Sequence, residues 1–259
     1  MSKIYLTPNL YLLNNKSYYE YEYESDNPDD FLVTKCKTNN KNWHNHYSDY
    51  GYCKLDLGWR KRLKSNKSNN SLWGCLDCGA GGDCLFLVIE EGFKDFSRPD
   101  EEYFSVENLR FLVSNEIDKN NFPLIIETYK LEKENDEFNG FWDPDEIENI
   151  EDLKEKIREK GNSFWGDHII IQLLEKALNI NIIIMNSEND YYENKQFSIQ
   201  STGTEFIKDR RTIIIYYCLN CHFQLIGYFN GNRIQTLFSY EELPDEIKNV
   251  YFLDTGISI

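Results

Sequence analysis

The sequence is short of positive charge. Its 28 Lys and Arg stand against 44 Asp and Glu, a formal net charge of −16 over 259 residues. A surface that tracks phosphates needs clustered cations to release counterions. The basic runs here are brief, Arg60-Lys61-Arg62 through Lys64 and Arg210-Arg211. Nucleic acid is therefore not an expected partner, and an anionic membrane surface is disfavoured on the same ground. Long apolar runs are also missing: no stretch of 18 apolar residues occurs, and Met1-Ser2-Lys3-Ile4-Tyr5 lacks an apolar signal core. The expectation is a soluble, intracellular, cytoplasmic protein. Cysteines number seven, an odd and modest count for this length. In a reducing compartment that suggests free thiols, a metal site or a nucleophile before it suggests disulfides.

Core-forming material is ample, with 41% hydrophobic residues, 18 Tyr and 16 Phe, which argues against a disordered chain. Residues 1–64 read as an N-terminal extension of unknown role and 65–259 as the main domain. The extension holds Tyr18-Tyr19-Glu20-Tyr21-Glu22-Tyr23-Glu24, whose period of two suits a half-exposed strand or an acidic, aromatic surface. Lys64 to Ser71 is polar and low in complexity, the composition of a linker or loop tip.

Beyond it, Gly79-Ala80-Gly81-Gly82 makes a glycine-rich turn, and Leu85, Val88, Ile89 and Phe93 follow at helical spacing from Cys84. Further helices are expected over 100–118, 122–133 and 167–178. Another is expected over 143–160, with Pro144 in its first turn and Gly161 past its end. Strands are expected over 180–185, 212–218, 222–229 and 233–238, the last two joined by Asn230-Gly231-Asn232. Helices first and a meander last describe an α+β domain.

The chemistry-bearing constellation is a cysteine at a helix start with a histidine at a distant strand start. A helix N-terminus and a neighbouring imidazolium both lower a thiol pKa. Cys84 has the first by position, and His222 could supply the second. The preceding glycines allow a tight turn whose amides could face an oxyanion. On a strand His222 and Gln224 share a face, so the Gln224 amide could orient the imidazole. The bland alternative is a small buried residue capping a helix and an edge histidine bonded to the backbone.

These residues carry a resemblance. Gly81-Gly82-Asp83-Cys84-Leu85-Phe86 resembles the Asp-Gly-Asn-Cys-Leu-Phe nucleophile motif of the ovarian tumour (OTU) cysteine proteases. Phe164-Trp165-Gly166-Asp167, followed by a helix and Ala177-Leu178-Asn179-Ile180-Asn181-Ile182-Ile183, resembles that family's Trp-Gly-Gly-Glu…Ala-Leu-Asn-Val-Asn-Ile block. His222-Phe223-Gln224-Leu225-Ile226 resembles its histidine motif. The blocks keep the family's order across about residues 72–257. With its Asn/Ile/Lys-rich composition, the chain is most similar to members encoded by large DNA viruses.

The resemblance implies a papain-like α+β fold, with helices on a small, mostly antiparallel C-terminal sheet. It implies a cofactor-free deubiquitinase that cleaves the isopeptide bond after the C-terminal glycine of ubiquitin or a ubiquitin-like modifier. Cys84 would be the nucleophile, His222 the general base, Gln224 the orienting residue, and the backbone of Cys84, Gly81, Gly82 and Asp83 the oxyanion hole. Three positions depart from the family. Gly81 replaces its acid three before the cysteine, Leu87 replaces its Arg or His three after it, and Gln224 replaces its Asp or Asn. Some members draw the third residue from upstream of the nucleophile, where Asp77 is available. A non-catalytic ubiquitin- or partner-binding module is the alternative.

Zinc is a separate possibility. Cys75-x-x-Cys78 and Cys218-x-x-Cys221 together supply four thiols. Cys36, His44, His46 and Cys53 supply four potential ligands within the N-terminal region, at a spacing that fits no regular motif. Trp73, Trp142 and Trp165 are expected in the core.

Overall fold

The computed structural model describes residues 18–23, 31–37, 51–63, 72–94, 104–138, 140–189, 195–218, 222–230 and 233–257, the first two as paired strands only. Ten strands and seven α-helices lie among them. β1 (Tyr18–Tyr23) and β2 (Phe31–Lys37) form an antiparallel pair of their own. The Tyr/Glu run thus falls on a strand; the exposure of its faces lies outside the described residues, as do the polar stretch 64–71 and Cys221, His44 and His46.

The remaining strands form one eight-stranded sheet. They are β3 (Tyr52–Lys54), β4 (Trp73–Leu76), β5 (Ile180–Asn189), β6 (Lys195–Gln200), β7 (Arg211–Cys218), β8 (His222–Phe229), β9 (Ile234–Gln235) and β10 (Leu237–Phe238). The order is β3-β4-β8-β7-β5-β6, with β9 beside β8 and β10 beside β7. All its pairs are antiparallel except β5 with β7. The fold is therefore α+β with a mixed, mostly antiparallel sheet. Two of its strands, β3 and β4, come from before Cys84 rather than from a C-terminal meander.

Alternating side chains bury both faces of the sheet. Leu76, Ile182, Ile213 and Leu225 join one core with α2 (Cys84–Gly92), α3 (Val106–Asn115), α4 (Phe122–Glu134), α5 (Ile150–Arg158) and α6 (His168–Leu178). Cys75, Ile183, Ile214 and Ile226 join the other with α1 (Leu57–Arg62) and α7 (Asp245–Thr255). Trp59 of α1 is fully buried in that second core, between Leu55 and Leu63. Residues 51–63, placed with the N-terminal extension in the sequence reading, thus share the sheet and core of the main domain.

Local signals explain the helix boundaries. Asp167 caps α6 by accepting from the N–H of Ile169 (2.9 Å) and Ile170 (3.0 Å), and Asn179 ends it in the left-handed conformation. The single helix expected over 143–160 is two pieces. Asp143 caps a short 3-10 turn, Pro144–Glu146. The chain then restarts at Asn149, whose side chain and that of Asp152 form a reciprocal capping box on α5. Likewise α3 begins at Val106, capped by Ser105, and the strand expected over 233–238 is split into β9 and β10.

Candidate active site

Cys84 opens α2 and is almost wholly buried, while Leu85, Phe86, Val88 and Ile89 anchor the helix in the core. The loop before it is shaped by glycine. Gly79 has φ of +132°, a conformation closed to residues with a Cβ. Gly82 lies so close to the 161–163 turn that a Cβ there would stand 1.9 Å from the Gly161 carbonyl oxygen.

His222 is the first residue of β8 and lies on the same side of the sheet end as Asp77, which follows β4. These strands pair antiparallel, Leu76 with Leu225 being the last registered pair. Continued past that pair, the register sets Asp77 opposite Gln224 and diagonal to His222, within reach of a short side chain. His222 Nε2 lies 3.1 Å from Asp77 Oδ1. The same oxygen accepts the Gly79 N–H at 3.0 Å, which fixes the carboxylate. The His222 bond, more than the Gly79 bond, holds the Asp77 carboxyl below its ordinary range against partial burial. His222 responds in the opposite sense. Its bond to Asp77 first, and one to the Cys84 thiol second, raise its pKa to about 9 against desolvation. With Nε2 committed to Asp77, Nδ1 is the nitrogen left for the thiol.

The structure thus sets Asp77, and not Gln224, against the imidazole. Gln224 shares the His222 face of β8 but is neither a bonding nor a charging partner of the ring. The expected oxyanion amides also divide. Gly82 N–H donates to Asn162 Oδ1 (3.1 Å), and Cys84 N–H turns back to the Gly81 carbonyl (3.2 Å). Of these four amides, those of Gly81 and Asp83 have no such partner among the described residues.

Sequence reasoning passed over Arg110, which is fully buried behind the loop. It donates to Asp83 Oδ1 from Nε (2.9 Å) and Nη2 (2.6 Å), and to the Gly82 carbonyl (3.2 Å). A charge at a core position of the α3 pattern was the available signal. Burial tends to discharge its guanidinium and Asp83 opposes this.

A cavity of about 530 Å³ lies on the far side of Trp165, which also borders Gly82; residues 77–84 and His222 are not among its lining. Trp165, whose ring edge would be 3.0 Å from a Cβ at Gly82, stands in its wall with Phe141, Tyr217 and Phe223, and Glu132 and Glu137 add negative charge. Of the tryptophans, Trp73 is a core residue, Trp142 packs against the core from this wall, and Trp165 is partly exposed in it.

The thiols considered for zinc separate. Cys75 and Cys218 belong to one face of the sheet and Cys78 packs on the other. Burial pushes the thiols of Cys75 and Cys78 well above the ordinary range. Among the described residues no group of three or more His, Cys, Asp or Glu side chains is placed to hold a metal ion. No helix among them is long and apolar enough to cross a membrane.

A chemistry follows from this arrangement. An imidazole held between a carboxylate and a thiol at a helix start can take the thiol proton and return it to a leaving group.

Comparison with known proteins gives no match among curated sequences. Solved structures similar to the chain include an OTU deubiquitinase of Wolbachia pipientis wMel bound to ubiquitin. It is 13% identical with a TM-score of 0.43, over 61% of this chain and 97% of that one. An OTU domain in complex with ubiquitin is 18% identical with a TM-score of 0.41, over 70% of this chain and 83% of that one. The viral OTU domain protease of Dera Ghazi Khan virus is 17% identical with a TM-score of 0.35, over 63% and 82%. The model of the OTU-like cysteine protease family matches residues 79–223, more than half of the sequence. The chain belongs to that family.

Proposed function

We propose that the protein is a thiol-dependent isopeptidase that removes ubiquitin or a ubiquitin-like modifier from conjugates. The observation that carries this reading is His222 held between Asp77 and the Cys84 thiol at the N-terminus of α2. In the first half-reaction the Cys84 thiolate attacks the carbonyl carbon of the modifier's C-terminal glycine. The carbonyl oxygen becomes an oxyanion facing the Gly81 and Asp83 amides. His222, as imidazolium, gives its proton to the departing lysine amine, leaving a thioester on Cys84. In the second half-reaction neutral His222 takes a proton from water, hydroxide attacks the thioester, and the modifier leaves with a free carboxylate. Asp77 keeps the ring oriented and favours its charged form.

The substrate class is supported by the cavity wall at Trp165, where Glu132, Glu137 and a row of aromatics suit an extended basic and apolar tail. The net charge of −16 suits a modifier whose binding face is flanked by basic residues. We place its action inside the cell and take no nucleic acid or membrane as partner; a viral source rests on the composition and motif likeness alone. The internally bonded amides of Gly82 and Cys84 favour a second reading, a non-catalytic binding module of the same fold.

A ubiquitin C-terminal amide carrying a fluorescent leaving group separates the two. The isopeptidase reading predicts release that is lost in Cys84→Ala and strongly reduced in His222→Ala. Binding without turnover by the unmodified protein would establish the module instead.

A further inference from the structure

We infer that Arg110 is a positioning residue for acyl transfer, holding the Gly82–Asp83 segment so that the neighbouring amides face the developing oxyanion. This rests on the isopeptidase reading. The guanidinium has no solvent exposure and reaches three elements at once. Besides Asp83 Oδ1 and the Gly82 carbonyl, it donates to the Ile157 carbonyl at the end of α5 (2.8 Å) and to the Phe164 carbonyl (2.9 Å). Its Cζ lies over the Phe86 ring, 4.2 Å from the ring centre. The loop is gripped from the other side as well. Asp83 Oδ2 accepts the Gly161 N–H (2.7 Å), and Asn162 Oδ1 accepts the Gly82 N–H.

A loop gripped on both sides cannot relax when charge develops on the substrate oxygen, and a preorganised donor set is what stabilises an oxyanion. The local sequence shows why the grip comes from Arg110. Gly81 has no side chain to hold the loop, and Asp83 makes the side-chain bonds. The carboxylate of Asp83 would be poorly fixed without a planar, multidentate partner. Lysine would preserve the charge but could not satisfy Asp83 and three carbonyls from one fork.

The test compares two reactions of the same thiol. Hydrolysis of the ubiquitin amide passes through an oxyanion, whereas alkylation by iodoacetamide displaces iodide and does not. Both rates are measured on the folded fraction isolated by size-exclusion chromatography, with alkylation read at the Cys84 peptide, so a loss of folded protein does not enter the ratio. Arg110→Lys is expected to lower kcat for hydrolysis on the order of 10²-fold, as removal of an oxyanion donor does, with KM and the alkylation rate little changed. Asp83→Asn keeps an acceptor for Arg110 and has a partly exposed side chain, so it tests the pair should Arg110→Lys not fold. It is expected to show a smaller selective loss. If the unmodified protein alkylates at Cys84 but does not hydrolyse, the isopeptidase reading and this inference both fall. If it hydrolyses while the variants keep its ratio of the two rates, or lose both rates in parallel, Arg110 is structural only and this inference alone falls.

Discussion

Asp77 Oδ1 and His222 Nε2 stand 3.1 Å apart although 145 residues separate them in the chain. The β4–β8 pairing makes that contact, and under the proposed mechanism it gives the orientation of the imidazole to a carboxylate upstream of Cys84. Asp77→Ala is expected to lower kcat/KM on the order of 10²-fold, within the range for positioned acid–base groups. Gln224→Ala should have little effect. Steady-state hydrolysis of the ubiquitin amide measures both, and a large loss in Gln224→Ala with a small one in Asp77→Ala would reverse the assignment.

The same pair sets a pH dependence. With a pKa of about 9, led by the bond to Asp77, His222 stays protonated well above the ordinary imidazole range. The proton needed by the leaving amine is then present up to about pH 9, so the alkaline limb of kcat/KM should lie there. Asp77→Asn removes the main cause and should move the limb to lower pH. The stability linkage has the matching sign. Because the folded ring binds its proton more tightly, its stabilising contribution is complete below the unfolded value of about 6.5 and fades as pH rises through about 9. A pH–rate profile with an alkaline limb unmoved by Asp77→Asn would contradict this.

Gly82→Ala tests the close approach of the nucleophile loop to the 161–163 turn. Its Cβ would meet the Gly161 carbonyl oxygen at 1.9 Å, and backbone cannot swing aside as a flexible side chain can. Overpacking of this kind costs about 1–3 kcal/mol. A lower denaturation midpoint together with weakened hydrolysis is expected, and a variant matching the unmodified protein in both would show that the approach is loose.

Trp59→Ala tests whether residues 51–63 belong to the main domain. The side chain is fully buried against the second core, so truncation should cost about 3–5 kcal/mol. Equilibrium denaturation gives the number, and a cost under about 1 kcal/mol would place α1 outside the cooperative unit.

What the sequence disclosed and what it hid divide along physical lines. Cys84 at a helix start, His222 at a strand start and the helical spacing over 167–178 are local patterns, visible in a few consecutive residues. The capping box of Asn149 and Asp152 was equally local but was masked by the earlier start signal of Asp143-Pro144, which starts only a 3-10 turn. The choice of Asp77 over Gln224 depends on the register between β4 and β8, which no local pattern encodes. Gln224 had the nearer place in sequence, but alternate residues of one strand point the same way side by side, whereas Asp77 approaches the ring from the adjacent strand. The α3 pattern marks Arg110 only as a charge at a core position; its partners Ile157, Phe164 and Asp83 are set by the fold. The early boundary at residue 64 followed a change in composition, while the sheet follows hydrogen bonds, and β3 pairs with β4 across the polar stretch.

The central claim is that Cys84 is a nucleophile poised to attack the C-terminal carbonyl of a ubiquitin-type modifier. The most direct measurement is covalent capture by ubiquitin carrying an electrophile in place of its C-terminal glycine, with the modified residue located by peptide mass mapping. A single adduct on Cys84 is expected, absent in Cys84→Ala and greatly slowed in His222→Ala. An adduct on Cys53, Cys78 or another thiol, or one that persists in Cys84→Ala, would contradict it.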